Sequence, residues 1–577
     1  MGAYKTLSPN REILDLGVLI ASYSPMKTSV TSLIAISLFA LVLSACSKPE
    51  SGGSMTTYKP SQFASDEFAF NNGAEPETLD PHRITAHDAA ITSMQMFEGL
   101  LTREMDYLKI KLGLAESWSV SPDGKVYKFV LRNAVKWSNG EPITVEQVRA
   151  SFVRALSPEV ASQYMYWYTD YIVGAKELNE AWNKPNRKEV EAKYGVRITG
   201  PKTVEIELIK PVGYFKYMLS QPTFAIVHPS MFDPSSKAWT DPSKYIVNSA
   251  YNITEWSVNQ RITLQKNPQF YDAANVKLNK IFIYPIRDES TVMNMYTTGK
   301  LDWTGDNHIA SHMVPSLRGR DDFHQMPILG TYMYEFNLKR KPLDDSRVRR
   351  ALSLVVDREH IVEKVLRGGQ VSTDRIVPPV IPDFQSLIPA PASMDDRVVE
   401  AKKLLAEAGY SDVSKFPSIT IRYNTNEGHN KVAQSIQQMW KTKLGIDVKL
   451  ENMEWKVFLK EQQAGNFDVS RKGWIGDYPD PATFLEIFQS TSENNDSNWK
   501  NVEYDQLVAE AAGIQDEAKR FAKEAKAEKI LYDETPAFGI YHYSYYSLMK
   551  PNVKGYIPNV HGHYLYRYFS KEGDQKS

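Results

Sequence analysis

Apolar and polar positions along this chain follow two periods, one of two residues and one of three to four, and they trade places repeatedly. Over residues 125–131, Val126, Phe129 and Leu131 sit among Lys and Tyr, which predicts a strand. A helix is predicted over 145–156, with Thr144 as its cap and Gln147 placed to complete a capping box. Val204, Ile206 and Leu208 alternate with polar residues and predict a half-buried strand. The Pro-rich stretch 378–391 reads as a long loop.

The clearest unit spans 393–477. Ser393 caps a predicted helix whose N3 residue is Asp396, whose apolar face is Val398, Ala401, Leu405 and Ala408, and which Gly409 ends. Ile419, Ile421 and Tyr423 alternate as a strand, and a polar loop is predicted from Asn424 to His429. Val432, Ile436, Met439 and Trp440 then recur at helical spacing up to Gly445, and Val448 and Leu450 begin another strand. A strand–helix–strand crossover makes its two strands parallel. Ligands of such sheets sit beyond the carboxyl ends of strands, near helix N-termini. His429 falls at such a place, as does the segment 471–477 after the strand-like Phe467-Asp468-Val469.

Composition narrows the classes. The 577 residues are 42% hydrophobic and 24% charged, ordinary for a globular chain of several domains at roughly 100–200 residues each. Lys plus Arg is 68 against 69 Asp plus Glu, a net charge of −1. That argues against a nucleic-acid coat protein, which needs a basic face. Cys46 is the one cysteine, so an intrachain disulfide, a Cys-based metal cluster and thiol catalysis in the body are excluded. The 32 Tyr and 11 Trp suit either ligand pockets or a large core.

The apolar run at 33–43 is too short to span a membrane, which takes about 20 residues. Lys27 precedes it and Leu43-Ser44-Ala45-Cys46 closes it, the layout of a secretory signal. The closing residues resemble a bacterial lipobox, in which the Cys becomes the acylated first residue. Met26 offers a second start, so 1–45 reads as an over-extended leader plus lipoprotein signal peptide, and 46–60 as a tether.

Catalytic signatures are missing: there is no HExxH, no GxxxxGK[ST], no GxSxG and no GxGxxG after a strand. His561-Gly562-His563 offers either a surface metal contact or, the favoured reading, a solvated loop. Acidic pairs such as Asp344-Asp345 and Asp395-Asp396 suit turns and helix starts, though they leave glycoside chemistry open.

Several stretches carry a resemblance. They are Asn71-Asn72-Gly73-Ala74-Glu75-Pro76, Phe97-Glu98-Gly99-Leu100-Leu101, Ala115-Glu116-Ser117-Trp118, Leu131-Arg132-Asn133-Ala134-Val135-Lys136-Trp137-Ser138-Asn139-Gly140-Glu141-Pro142, Tyr334-Glu335-Phe336-Asn337 and Arg471-Lys472-Gly473-Trp474-Ile475-Gly476-Asp477-Tyr478. Over about 68–570 the chain resembles the extracytoplasmic oligopeptide-binding proteins of ABC transporters, the peptide and nickel class of solute-binding proteins. The resemblance implies an α/β, two-lobed, periplasmic-binding-protein-like (type II) fold with an additional domain inserted beside lobe I. It sets lobe I at 61–97, 222–329 and 545–577, the extra domain at 98–221 and lobe II at 330–544, with hinge crossovers near 329–330 and 544–545.

The same resemblance implies site residues. Asp477 stands at the family's amine-binding position, Arg471 where a short peptide's carboxylate is met, and His429 where a peptide one residue longer ends. Trp455, Trp474, Tyr296, Tyr543, Trp167 and His87 match pocket-lining positions, the last two placed in loops. Leu366 replaces the family's Lys for longer peptides, with Arg367 beside it, and Met333 stands where Tyr is usual. The expectation is a monomeric, lipid-anchored receptor of the cell envelope, without cofactor or metal, that takes oligopeptides and serves ABC permease subunits. Its rivals are the same scaffold with murein peptide, haem or a nickel complex, and an exported hydrolase.

Overall fold

The structure, a computed structural model, describes residues 58–492 and 494–573. The predicted leader, residues 46–57 of the tether and the lipidation candidate Cys46 lie outside the described residues. The three larger of the five sheets among the described residues organise the rest, each beside its own hydrophobic core. One lobe is built on four strands in the order Glu67–Asn71, Lys280–Tyr284, Arg261–Lys266, Tyr251–Ser257, packed around Phe68, Phe70, Leu264 and Ile283. An antiparallel sheet of Ala115–Val120, Val126–Leu131, Thr203–Glu207 and Val196–Gly200 forms the inserted domain. The other lobe has six strands, ordered Val371–Ser372, Ala537–Leu548, Phe323–Phe336, Val469–Ile475, Ile419–Asn424, Val448–Met453. No helix among the described residues is long and apolar enough to cross a membrane.

The local signals act as their chemistry dictates. Helix Val145–Ala155 begins with a full capping box: the Gln147 amide N–H donates to the Thr144 hydroxyl and the Thr144 N–H to Gln147 Oε1. Helix Met394–Glu407 starts on Ser393, whose hydroxyl accepts from the Asp396 N–H at 3.2 Å. Strands Ile419–Asn424 and Val448–Met453 pair in parallel through helix Glu427–Leu444, which buries Val432, Ile436, Met439 and Trp440. That helix ends at Gly445, whose φ of +77° favours a residue without Cβ.

Three local expectations need correction. The predicted loop from Asn424 to His429 is shorter, because the strand runs through Asn424 and Asn426 caps the helix, accepting from the His429 N–H at 3.2 Å. An Asn in extended conformation competes well for that cap, so His429 stands inside the first turn. Trp167 and His87 are not in loops: Trp167 lies in the short helix Tyr166–Thr169 and His87 opens helix His87–Ser93. His561 is not in a solvated loop but 7% exposed, and the described residues contain no cluster of His, Cys, Asp and Glu suited to a metal.

Two long strands, Phe323–Phe336 and Ala537–Leu548, run antiparallel. Pro327 faces Ser544 and Thr331 faces His542, so the register breaks between them. Pro327, without an N–H to donate, suits such a break. The Thr304 N–H donates to the Leu548 carbonyl at 3.0 Å, joining the end of this ribbon to the four-stranded lobe.

Candidate functional site

The candidate site is built along the strand Val469–Ile475. One edge pairs with Phe323–Phe336 over its whole length, from Phe336 opposite Val469 to Gly330 opposite Ile475. The other edge pairs with Ile419–Asn424 only at Val469 and Ser470. From Arg471 onward that edge carries no strand among the described residues. Gly473 sits mid-way, and a Cβ there would come within 2.5 Å of the Tyr543 hydroxyl and 2.9 Å of Arg471 Nη2. Its lack of a side chain lets Tyr543 and Arg471 meet over the strand.

At one end, Arg471 Nη2 donates to the Tyr543 hydroxyl at 2.9 Å. Its Cζ lies 4.9 Å from the centre of the Tyr332 ring. Nε is buried without a hydrogen-bond partner, and among the described residues no carboxylate reaches salt-bridge distance of this guanidinium. Tyr332 stacks on Tyr541 at 4.6 Å, and the His429 ring lies 5.4 Å from Tyr332. Burial, aided by the Arg471 charge, lowers the His429 imidazole to about 4. It is therefore neutral at pH 7 and offers a hydrogen bond rather than a charge.

Asp477 lies just past the other end. Its N–H donates to the Thr483 hydroxyl at 3.2 Å, and its carbonyl accepts from Gln221 Nε2 at 2.6 Å. Its carboxyl faces a cavity of about 400 Å³ shared with Tyr164, Trp167, His87, Tyr545 and His561. Burial, then the charge of Glu486, pushes that carboxyl up to about 7. Among the described residues no cation reaches salt-bridge distance of it. Six extended steps separate Asp477 from Arg471, about 20 Å of chain.

A half-buried cation and a half-buried anion, each without a counter-charge at salt-bridge distance among the described residues, thus flank an open strand edge. The sequence profile of the bacterial extracellular solute-binding proteins, family 5 Middle, matches residues 109–496. The chain belongs to this family. Among its family 5 relatives, the periplasmic oligopeptide-binding protein OppA of Escherichia coli K12 is 36% identical over 491 residues, 84% of this chain and 89% of that one. The oligopeptide-binding protein OppA of Bacillus subtilis 168 is 34% identical over 547 residues, 93% and 98% of the two chains. Among solved structures, the unliganded open form of the murein tripeptide-binding protein MppA aligns with a TM-score of 0.79 at 32% identity, covering 88% of this chain and 97% of that one. Another structure of MppA, from Escherichia coli, aligns at 0.70 with 32% identity, over 89% and 99%. The fold is thus the two-lobed type II arrangement of these proteins, with an additional domain.

The remaining family-implied positions divide. Tyr543 joins Arg471, while Trp167 and His87 join Asp477 in the cavity. Trp474 alternates to the opposite face of the strand, where it packs against the core around Leu329, Met333 and Phe484. Trp455 is 47% exposed at the start of helix Trp455–Gln463, stacked on Phe458, and reaches neither end. Tyr296 does not line this site: it is fully buried in the four-stranded lobe and donates its hydroxyl to Asp322 Oδ2 at 2.8 Å. Met333 is core, and Leu366 packs at the margin of the six-stranded lobe's core. Residue-by-residue reading missed Tyr332, Tyr334 and Tyr541 near Arg471, and Tyr164, Tyr545, His561 and His563 near Asp477. The period-two tyrosines 541, 543 and 545, and 332 and 334 on the paired strand, were the available signal.

Proposed function

We propose that this chain is an extracytoplasmic receptor that binds oligopeptides between its lobes and delivers them to an ABC importer. The observation that carries the reading is the pair of uncompensated charges at the two ends of the open strand edge. A free peptide of any sequence has an ammonium, a carboxylate and a row of backbone amides. Asp477 takes the ammonium and Arg471 the carboxylate of a short peptide. The unpaired edge at 471–475 offers backbone groups to an extended chain. His429 and the first-turn amides of its helix serve the carboxylate of a peptide one residue longer. The relatives' names, oligopeptide- and murein-tripeptide-binding, agree with this chemistry.

In this reading no bond is broken, and the work is closure of two lobes. The register break at 327–331 and 542–544 supplies the hinge, adjoining the expected crossovers at 329–330 and 544–545. The better alignment with an open form of MppA fits an open starting state. The lipobox-like Leu43-Ser44-Ala45-Cys46 supports lipid anchoring at Cys46 in the cell envelope, beside the permease.

Native mass spectrometry of the protein as purified, followed by calorimetry with Ala-Ala-Ala and its N-acetyl and C-amide forms, tests the function. Copurified peptides and micromolar or tighter binding that both modifications weaken are expected. Copurification of a bile salt, haem or a metal complex, with no response to any free peptide, would replace the reading. Cleaved tripeptide after prolonged incubation would make it an enzyme.

A further inference from the structure

The cavity beside Asp477 has a wall that the capture of an ammonium does not require. His561, His563 and His87 line it together with Tyr545. His563 stacks on His87 at 4.9 Å with a 20° tilt, and His87 on Tyr545 at 5.9 Å. Behind them Tyr107 packs 4.9 Å from His561 and 5.2 Å from His563. The Tyr107 hydroxyl lies 3.1 Å from His563 Nδ1, which leaves the Nε2 of that ring for other partners. His561 is 7% exposed. Neither of its ring nitrogens makes a well-formed hydrogen bond, and the ring lies against the backbone of Gly476 and Asp477. Gly562 makes the column possible: a Cβ there would come within 2.5 Å of the Tyr545 ring and 3.1 Å of His87, at a φ of +66°.

We propose that this cavity receives the first side chain of the bound peptide, and that His87, His561 and His563 select there a flat side chain bearing its own hydrogen-bonding atom, tyrosine before tryptophan or histidine. The proposal rests on the peptide reading, because Asp477 fixes the amine beside the cavity mouth. Flat imidazole and phenol faces favour an aromatic ring. A neutral imidazole carries one donor and one acceptor, so a tyrosine hydroxyl can satisfy nitrogens that an aliphatic side chain would leave buried and unpaired. A cationic side chain is disfavoured. Asp477 is already engaged by the amine, and behind the column Arg103 lies 4.3 Å over Tyr107, hydrogen-bonded to the carbonyls of Tyr107 and Tyr217 and the Ser220 hydroxyl, with no carboxylate at salt-bridge distance among the described residues. An acidic side chain would be buried next to Asp477 itself.

Calorimetry on protein stripped of bound ligand, with Tyr-Ala-Ala, Phe-Ala-Ala, Leu-Ala-Ala, Lys-Ala-Ala, Glu-Ala-Ala, Ala-Ala-Ala and Ala-Ala-Tyr, tests this. Tyr-Ala-Ala should bind about tenfold or more tighter than Ala-Ala-Ala, and about fivefold tighter than Phe-Ala-Ala, the worth of one hydrogen bond. Ala-Ala-Tyr should show no such gain, and the Lys- and Glu-first peptides should be weaker than Phe-Ala-Ala. In His561→Phe and His563→Phe the Tyr-to-Phe ratio should fall toward one; the ratio is read within each protein, so a general loss of affinity cancels. Ala-Ala-Ala binding weakened by N-acetylation, but with no first-position preference or with Lys-Ala-Ala tightest, would overturn the imidazole selection and leave the peptide reading standing. Failure of every peptide to bind would overturn both.

Discussion

Arg471 and Lys472 are neighbours on one strand and face opposite sides of it. Lys472 is buried against Glu335 at 2.8 Å and Asp496 at 3.0 Å, with the Asn494 carbonyl beside them. Arg471 is half-buried among tyrosines, with Asn424 and Tyr543 as its hydrogen-bond partners and no carboxylate at salt-bridge distance among the described residues. Other buried charges are matched in the same way, Arg154 by Asp80 at 2.6 Å, Arg520 by Asp480 at 2.7 Å and Arg567 by Glu98 at 2.8 Å, while Arg103, Arg349 and Arg358 are held by backbone carbonyls and serine hydroxyls. A desolvated charge whose hydrogen-bonding groups go unmet is costly; Arg471 keeps a buried Nε without a partner, and Asp477 has no cation at salt-bridge distance among the described residues, which is why we propose that both wait for a ligand. The face of the strand that holds Lys472 is structure; the face that holds Arg471 is the one we propose for the ligand.

Breaking the structural face should have the largest effect. Lys472→Met leaves Glu335 and Asp496 without their cation and should lower unfolding stability by about 3–5 kcal/mol, seen as an earlier denaturant midpoint. Asp477→Asn should instead cost about 2–5 kcal/mol of affinity for a free tripeptide without lowering the stability of the ligand-free protein. N-acetylation of the peptide should then add little, since both changes break one contact; full additivity in calorimetry would separate Asp477 from the amine. Arg471→Gln should weaken a tripeptide about tenfold or more, with C-amidation adding little in the variant, again without loss of stability. A fall in midpoint as large as that of Lys472→Met would erase the contrast between the two faces.

Acidity sharpens the same comparison. The carboxyl of Asp477 sits near 7 in the free protein, above its ordinary value of 3.8. Through this group the free protein has its full stability below about pH 4 and loses some as pH rises through about 7. Peptide binding runs the other way, because an ammonium needs the carboxylate: below pH 7 binding must release a proton. Affinity should fall by up to about tenfold per unit as pH drops from 7, and Asp477→Asn should flatten the profile. The smallest effect is expected of Tyr543→Phe, which frees Arg471 of its 2.9 Å partner and should weaken binding by about 1 kcal/mol, measured by calorimetry.

Much of the fold was legible because its signals are local. The capping box at Thr144, the Ser393 cap, the alternation at Ile419, Ile421 and Tyr423 and the stop at Gly445 each depend on residues within a few positions, and each lies where the pattern predicts. The first turn of the helix carrying His429 was read as loop because Asn426 competes for the cap and starts the helix at Glu427. The site was legible only as a motif. Arg471 and Asp477 stood out through the run 471–478, yet nothing near them says that one lacks an anion and the other a cation.

The sequence by itself determined the elements, the parallel crossover and the segment that carries the two charges, because caps, periods and turns are settled by neighbours along the chain. Only the tertiary structure decided which charges are satisfied. Lys472 finds Glu335, 137 residues away, and Arg471 finds Tyr543, 72 residues away, because a strand points successive side chains to opposite faces and the chain that returns to each face is different. It also moved Tyr296 into a core and His561 into a cavity wall. Burial and counter-charge are properties of what packs against a residue, and that is set by segments far from it in sequence.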